Sequence, residues 1–364
     1  MADRQLSWRP DWAAPPGEIL LEALEERGMS QSELARRTGR PFKTINEIVN
    51  AKAALTPDTA IQLERTLGIS ASFWNNLETD YREHLAFARA QEELEANAPW
   101  ADAFPIRDLV RHGLVRAGLT KSERLAALLQ FFRVSSPGVW ESQWLAPTAS
   151  LRASAAFNSS PHAVAAWLRW GEIIAEQTQS ERFDRQSFIE ALNEVRKLTR
   201  REPFTQILGQ VRELCAAAGV VIVLAPELGK TRLSGAAHWL ASDKAIIQLS
   251  LRYKSDDQFW FSFFHEAGHL LSRKRDDHVD AEDGSGEDAD REEQAANAFA
   301  RDFLMPADAY VEFVSAGTFS AQAVRDFAKQ LDIAPGIVVG RMQRDGLVDH
   351  SHLNGLKKSI RWAR

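Results

Sequence analysis

The chain has 364 residues, 45% of them hydrophobic and 26% charged, with 44 Lys and Arg against 50 Asp and Glu for a formal charge of −6. That length corresponds to two or three domains at about 150 residues each, and the composition excludes a fibrous or largely disordered chain. A solitary cysteine, Cys215, excludes an internal disulfide and makes the cytoplasm the expected compartment. The opening MADRQLSWRP lacks the apolar run of a secretory signal. No apolar stretch approaches the roughly 18 residues of a membrane span.

The charge is unevenly spread. Asp276 to Glu293 holds ten acids against one arginine, whereas residues 1–80 carry nine basic and twelve acidic side chains. No overall basic field marks a nucleic-acid binder. Prolines and polar residues in NAPWADAFP and TRREP divide the chain near residue 95 and again near residue 200.

In chain order, Gly17 to Ala90 reads as five short helices. The second opens at Ser30, with Glu33 three residues on as in a capping box, and stops at Gly39. The third runs from Pro41 or Phe42 to Val49, and the fourth follows Thr56 with Pro57 in its first turn. The middle, residues 96–200, is predicted to be mostly helical, with periodic segments at Leu125 to Phe132, Ala163 to Thr178 and Phe188 to Leu198. Beyond residue 205 come an amphipathic helix to Ala218, the apolar run VVIVLA from Val220, and two short strands at Ala236 to Leu240 and Ala245 to Leu251. The tryptophan spacings Trp140/Trp144 and Trp167/Trp170 read as helix packing, and Cys215 as a buried apolar residue.

SQSELARRTGRPFKTINEIVN carries a helix, a tight turn and a second helix. Leu34, Ala35, Ile45 and Ile48 are placed to pack the angle between them, leaving Phe42, Lys43, Thr44, Asn46 and Glu47 near the exposed face, with Lys52 just beyond. Such a helix fits a major groove, with Asn46 suited to an adenine edge, Lys43 to phosphate or guanine and Thr44 to the backbone. A plain helical bundle using the same turn is the competing reading. The segment PPGEILLEALEERGMSQSELARRTGRPFKTINEIVNAKAALTPDTAIQLERTLGISASFWNNLETDY resembles the HigA-type antitoxins of the Xre class. That resemblance implies a recognition helix beginning near Pro41 and an operator-binding dimer. Pro41, Phe42 and Ala51 depart from the residues usual there, Ala51 standing where glycine is common.

FWFSFFHEAGHLLS contains His265-Glu266-Ala267-Gly268-His269. Histidines four apart share one helix face and present imidazole nitrogens to a single zinc ion, while Glu266 is offset toward the metal's water as general base. A third protein ligand is needed, and the downstream acids are Asp283, Glu287, Asp288, Asp290, Glu292 and Glu293. Glu293 is favoured because it opens the patterned helix EQAANAFARDFLMP, whose stripe is Ala296, Phe299, Ala300 and Phe303. Glu292 is its main rival and His278 a weaker one. Asn297, four residues after Glu293, is placed to orient a liganding imidazole. The acidic stretch between the two helices reads as a solvated tether, with an auxiliary cation site or a flap as alternatives. His238 and Tyr253 are candidates to support a tetrahedral oxygen, a packed histidine being the plain reading of the former.

Val211 to Pro306 resembles the ImmA/IrrE-type metallopeptidases, through GAAHWL, KAIIQLSLRY, FWFSFFHEAGH and EEQAANAFARDFLMP. The resemblance implies a zincin-like α+β domain, zinc held by His265, His269 and Glu293, Glu266 in catalysis, and a repressor, toxin or antitoxin as substrate or partner. Ala295 and Ser262 depart from the family's residues without removing a ligand. The resulting expectation is a multidomain chain: an all-α helix-turn-helix unit over 1–95, a helical linker or sensor over 96–200, and a metallopeptidase domain with a small sheet over 201–364. The alternative is a regulator or antitoxin whose metal domain is structural or sensory and cuts nothing.

Overall fold

The computed structural model describes residues 13–154, 159–272 and 286–360. The tether expected between the two metal helices, with His278 and Asp283, lies outside the described residues. The chain divides into two compact units, residues 1–98 and 99–364.

The first unit is all helix: α1 (Pro16–Glu25), α2 (Gln31–Thr38), α3 (Phe42–Val49), α4 (Pro57–Leu67) and α5 (Ala71–Asn97). Local chemistry sets most of the boundaries. The Ser30 hydroxyl accepts from Glu33 N–H at 3.1 Å to open α2, and Gly39 closes it in the left-handed conformation at φ 68°. Thr56 caps α4, with Pro57 in its first turn. The capping box expected at Ser30 is only half formed, because the Glu33 carboxylate turns outward to Arg36 and Arg37. A complete box occurs instead at Thr120 and Glu123. Leu34, Ala35, Ile45 and Ile48 are buried together with Leu20, Leu63 and Trp74. The fifth helix is not short: α5 runs 27 residues to Asn97, and Trp74 near its start is its only buried residue.

The second unit begins with helices α6 (Ile106–Arg111), α7 (Lys121–Phe132), α8 (Pro137–Ser154), α9 (Pro161–Glu176), α10 (Arg185–Leu198) and α11 (Phe204–Ala217). Strands β1 (Val220–Leu224), β2 (Gly235–Ala241) and β3 (Lys244–Leu249) follow, then α12 (Asp256–Ser272), α13 (Gly286–Leu304), α14 (Ala307–Ser315), α15 (Ala321–Leu331) and α16 (Pro335–Arg344). Among the described residues the sheet order is β1-β3-β2, with β1 parallel and β2 antiparallel to β3.

Strand alternation divides this sheet into two faces. Val220, Ile222, Ala237, Ala245, Ile247 and Leu249 join the core formed with α10, α11 and α12, where Cys215 is also buried. On the opposite face, Gln248 Nε2 donates to the Trp167 carbonyl of α9 at 2.8 Å, and Trp167 Nε1 donates to the Ala225 carbonyl at 3.1 Å. The domain boundary expected near residue 200 is therefore absent. Helix α9 covers one sheet face and α10 and α11 build the core on the other, so the middle helices and the sheet form one unit. Trp140 is buried and stacks on His162 with ring centroids 4.8 Å apart, a packing role.

Candidate functional site

Helix α12 packs on both the sheet and α13; Phe263, Phe264, Ala267 and Leu270 are all buried in the shared core, with Phe264 stacked on Phe303 of α13. Gly268 makes that crossing close. A Cβ there would stand 3.1 Å from Phe299 Cδ1 and 3.2 Å from Ala296 Cα. The small residues Gly268, Ala296 and Ala300 at this contact bring Glu293 of α13 opposite His265 and His269 of α12.

The three side chains converge. His265 Nε2 and His269 Nε2 are 3.1 Å apart, Glu293 Oε1 is 3.1 Å from His269 Nε2, and Glu293 Oε2 is 3.4 Å from His265 Nε2. Burial opposes a proton on His265, yet its bond to Glu293 and the charges of Glu266 and Glu293 outweigh that and raise its pKa. Burial likewise opposes charge on Glu293, and the two imidazoles overcome it, holding this carboxyl far below the usual carboxylate range. Glu293 is thus an anion at any ordinary pH. Glu292, the rival in register, is exposed, as is Asp290. The Glu287 and Asp288 side chains lie outside the described residues.

Glu266 is buried at 7% exposure, one position round the helix from His265. Its neighbour is Gly235, the first residue of β2: a Cβ there would stand 2.7 Å from Glu266 Oε1 and 2.8 Å from its Cγ. A glycine at the head of a strand is the sequence signal of such a close approach. The sequence reading missed it.

Asn297 lies beside His265 and adds to the upward pull on its pKa. Its side-chain bond is to His265, one of the two rings it was placed to orient, and the Nδ1 atoms of both histidines are buried. His238 is a correction. It pairs with Ile246 in register, placing its side chain on the α9 face of the sheet, and its Nε2 lies 3.8 Å from Glu172 Oε1. The sheet separates it from Glu266, whose neighbour Gly235 belongs to the other face, and His238 supports no chemistry there. Tyr253 is 49% exposed, with the Arg252 guanidinium 5.4 Å from its ring centroid. With Gln258 and Ser262 it lines a cleft along the first turns of α12, and Ser262 is one turn before Glu266.

The start of α12 is held by the end of the described chain. Asp256 Oδ1 accepts from the N–H groups of Asp257 and Lys358, and Lys357 Nζ lies 2.7 Å from Asp257 Oδ2. Burial, reinforced by the Asp257 charge, pushes Asp256 up to about 6 against the bonds it accepts.

In the first unit the expected contact residues occupy the open side of α3. Phe42 is 51% exposed and Lys43 is exposed beside Glu47, its Nζ 3.7 Å from Glu47 Oε1. Thr44 and Asn46 are half-buried, and Lys52 is exposed beyond the helix. Asn46 Nδ2 donates to Gln31 Oε1 at 3.2 Å, which fixes the amide from the first residue of α2. Gln31 was missed because its polar side chain is unremarkable at the start of a capped helix. Ala51 sits at φ 55°, the left-handed region that explains a preference for glycine at this position.

Family comparisons agree with both halves. The helix-turn-helix family matches residues 20–74, and the IrrE N-terminal-like domain of peptidase family M78 matches residues 215–317. The chain is 40% identical over 63 residues to the uncharacterized HTH-type transcriptional regulator YddM of Escherichia coli K12, covering 17% of this chain and 67% of that protein. The chain belongs to the helix-turn-helix family and carries an IrrE N-terminal-like domain. Virulence-associated protein I of Dichelobacter nodosus is 41% identical over 70 residues, 19% of this chain and 65% of its own length. A solved HigA-family addiction-module antidote protein from Coxiella burnetii is 32% identical, covering 24% of this chain and 95% of that one with a TM-score of 0.22. The IrrE-like match takes in α12 and α13 with the His265, His269 and Glu293 cluster. Among the described residues no helix is long and apolar enough to cross a membrane.

Proposed function

We propose that this chain is a cytoplasmic DNA-binding regulator whose IrrE-like domain is a zinc-dependent endopeptidase acting on a repressor, toxin or antitoxin. The observation that carries the enzymatic half is the convergence of His265, His269 and Glu293 with Glu266 alongside. Donor atoms about 2.0–2.1 Å from a tetrahedral ion lie about 3.3 Å from one another, and the three separations here are 3.1, 3.1 and 3.4 Å. Two imidazoles and an ionised carboxylate are a donor set that suits zinc. Among the described residues three protein donors converge, the number that a catalytic zinc takes.

Zinc held there supplies Lewis acidity and a water of lowered pKa. The chain's own residues do the rest. Glu266 takes a proton on its carboxylate as water attacks a peptide carbonyl and returns it to the departing nitrogen. Gly235 leaves room for that carboxylate against the strand. Phe263, Phe264 and Leu270 keep bulk water from the helix's inner side. Strand β2 is paired only with β3 among the described residues, and its outer edge is where an extended peptide would pair in this reading. Tyr253 is the remaining candidate donor to the tetrahedral oxygen.

The helix-turn-helix unit brings the peptidase to operator DNA, as a homodimer in this reading, with Phe42, Lys43, Thr44, Asn46 and Lys52 on the contact face. The test pairs two assays on the full chain. Purified protein is incubated with the repressor or toxin encoded beside it, comparing wild type with Glu266→Gln at equal zinc content. Cleavage by wild type alone is the expected result, and equal outcomes refute the enzymatic half. Footprinting on the protein's own promoter is expected to lose protection when Lys43 and Asn46 are replaced by alanine.

A further inference from the structure

The open face of α3 combines an unusual apolar side chain with charges that are already engaged. Phe42 is the first residue of the helix and half exposed, behind Pro41 at the N-cap. Its neighbour one turn along the same face is Asn46, steadied by Gln31. Three of the cations around them sit beside acids of their own helices: Lys43 faces Glu47, and Arg36 and Arg37 both pair with Glu33. Residues 1–80 are net acidic, nine bases against twelve acids. Affinity drawn from phosphate contacts alone is therefore small here, and contacts to base edges carry more of the recognition.

A phenyl ring neither donates nor accepts a conventional hydrogen bond. In the major groove the apolar feature of a base edge is the thymine C5-methyl group. The N-terminal residues of a recognition helix are those that reach base edges. We infer that Phe42 reads a thymine methyl, making it a specificity-determining residue of this chain. The inference rests on the DNA-binding reading above and deepens it. Four residues along a helix span about 6 Å, close to two base-pair steps of about 3.4 Å. The thymine accordingly lies within two base pairs of the adenine paired to Asn46.

The experiment selects binding sites for the full chain from a randomised duplex DNA library, then replaces each enriched thymine by deoxyuridine, which removes only the methyl. Wild type is expected to enrich a thymine at a fixed short distance from an adenine and to bind the deoxyuridine duplex about fourfold more weakly, the effect of one buried methyl. Phe42→Gln is expected to bind both duplexes equally, while Phe42→Leu retains part of the discrimination. The exposed position leaves the fold unaltered, which the unfolding transition checks. Equal wild-type affinity for the two duplexes, or undiminished discrimination by Phe42→Gln, overturns the inference. A library that yields no enriched sequence refutes the DNA-binding reading itself and the inference with it, a failure distinct from the loss of methyl discrimination alone.

Discussion

The two functional regions are built on opposite physical terms. On the helix-turn-helix unit exposed charged side chains pair within single helices, Lys43 with Glu47 and Arg37 with Glu33; solvent screens such contacts and they hold little. In the IrrE-like domain His265, His269 and Glu293 come from two helices and meet at a crossing fixed by Gly268, Ala296 and Ala300. The first arrangement leaves groups ready to exchange partners with DNA. The second holds like donors close together in the shape of a cation. One site is made by leaving side chains loose and the other by packing them tightly, so perturbing each should produce effects of different size.

The largest effect is expected at Glu293. Glu293→Ala removes the anion between the imidazoles and should weaken zinc binding by at least about a hundredfold, exceeding the loss typical of outer contacts, as read by competition with a chelator. Helix-turn-helix binding to promoter DNA should be unchanged in that variant. If zinc affinity falls less than tenfold, the carboxylate is not a ligand.

Next comes the crossing itself. Gly268→Val would drive side-chain carbon into Phe299 and the Ala296 backbone, costing about 1–3 kcal/mol by overpacking. Denaturant unfolding measures this loss, and zinc affinity should fall with it. Stability lost with zinc affinity intact would show that helix spacing does not set the site.

Asp256 tests the anchoring of the metal helix. With its folded pKa raised to about 6 from 3.8, the folded state holds the proton more tightly than the unfolded one. The carboxyl is then without cost below pH 3.8, becomes increasingly destabilising as pH rises to about 6, and stays so above. Asp256→Asn keeps the Oδ1 acceptor for the Asp257 and Lys358 N–H groups. Relative to wild type, its stability should therefore improve by about 3 kcal/mol between pH 3.5 and pH 7. A variant whose difference from wild type is flat with pH contradicts this account.

The smallest effect belongs to the loosely built side. Ala51→Gly relieves a non-glycine residue at φ 55° and should stabilise the helix-turn-helix unit by about 0.5–1 kcal/mol, seen as a higher unfolding midpoint with no change in zinc binding. A lower midpoint would show that the backbone tolerates alanine there without strain.

These contrasts also explain what could be read in advance. Caps and stops depend on neighbours within a few residues, so Ser30, Gly39, Thr56 and the bounds of α3 were legible. The spacing of His265 and His269, and the apolar stripe after Glu293, carried the cluster for the same reason: each half is a local helical pattern. What the pattern did not hold was long-range. The boundary near residue 200 disappeared because α9 packs on the sheet through Trp167 and Gln248. His238 was misplaced because strand parity, which sets its face, depends on register with β3. The full length of α5 was hidden because its second half has weak amphipathic patterning and little to bury. Gly235 and Gln31 act through contacts with Glu266 and Asn46 that lie 31 and 15 residues away.

The central claim is that His265, His269 and Glu293 hold one zinc ion. X-ray absorption at the zinc edge of the purified, zinc-loaded full chain tests it most directly. The account predicts one zinc per chain with two imidazole nitrogens and carboxylate oxygen at about 2.0–2.2 Å, and loss of the imidazole signal when both histidines are replaced. Protein that retains no zinc after desalting, or zinc surrounded by solvent oxygen alone, would contradict it.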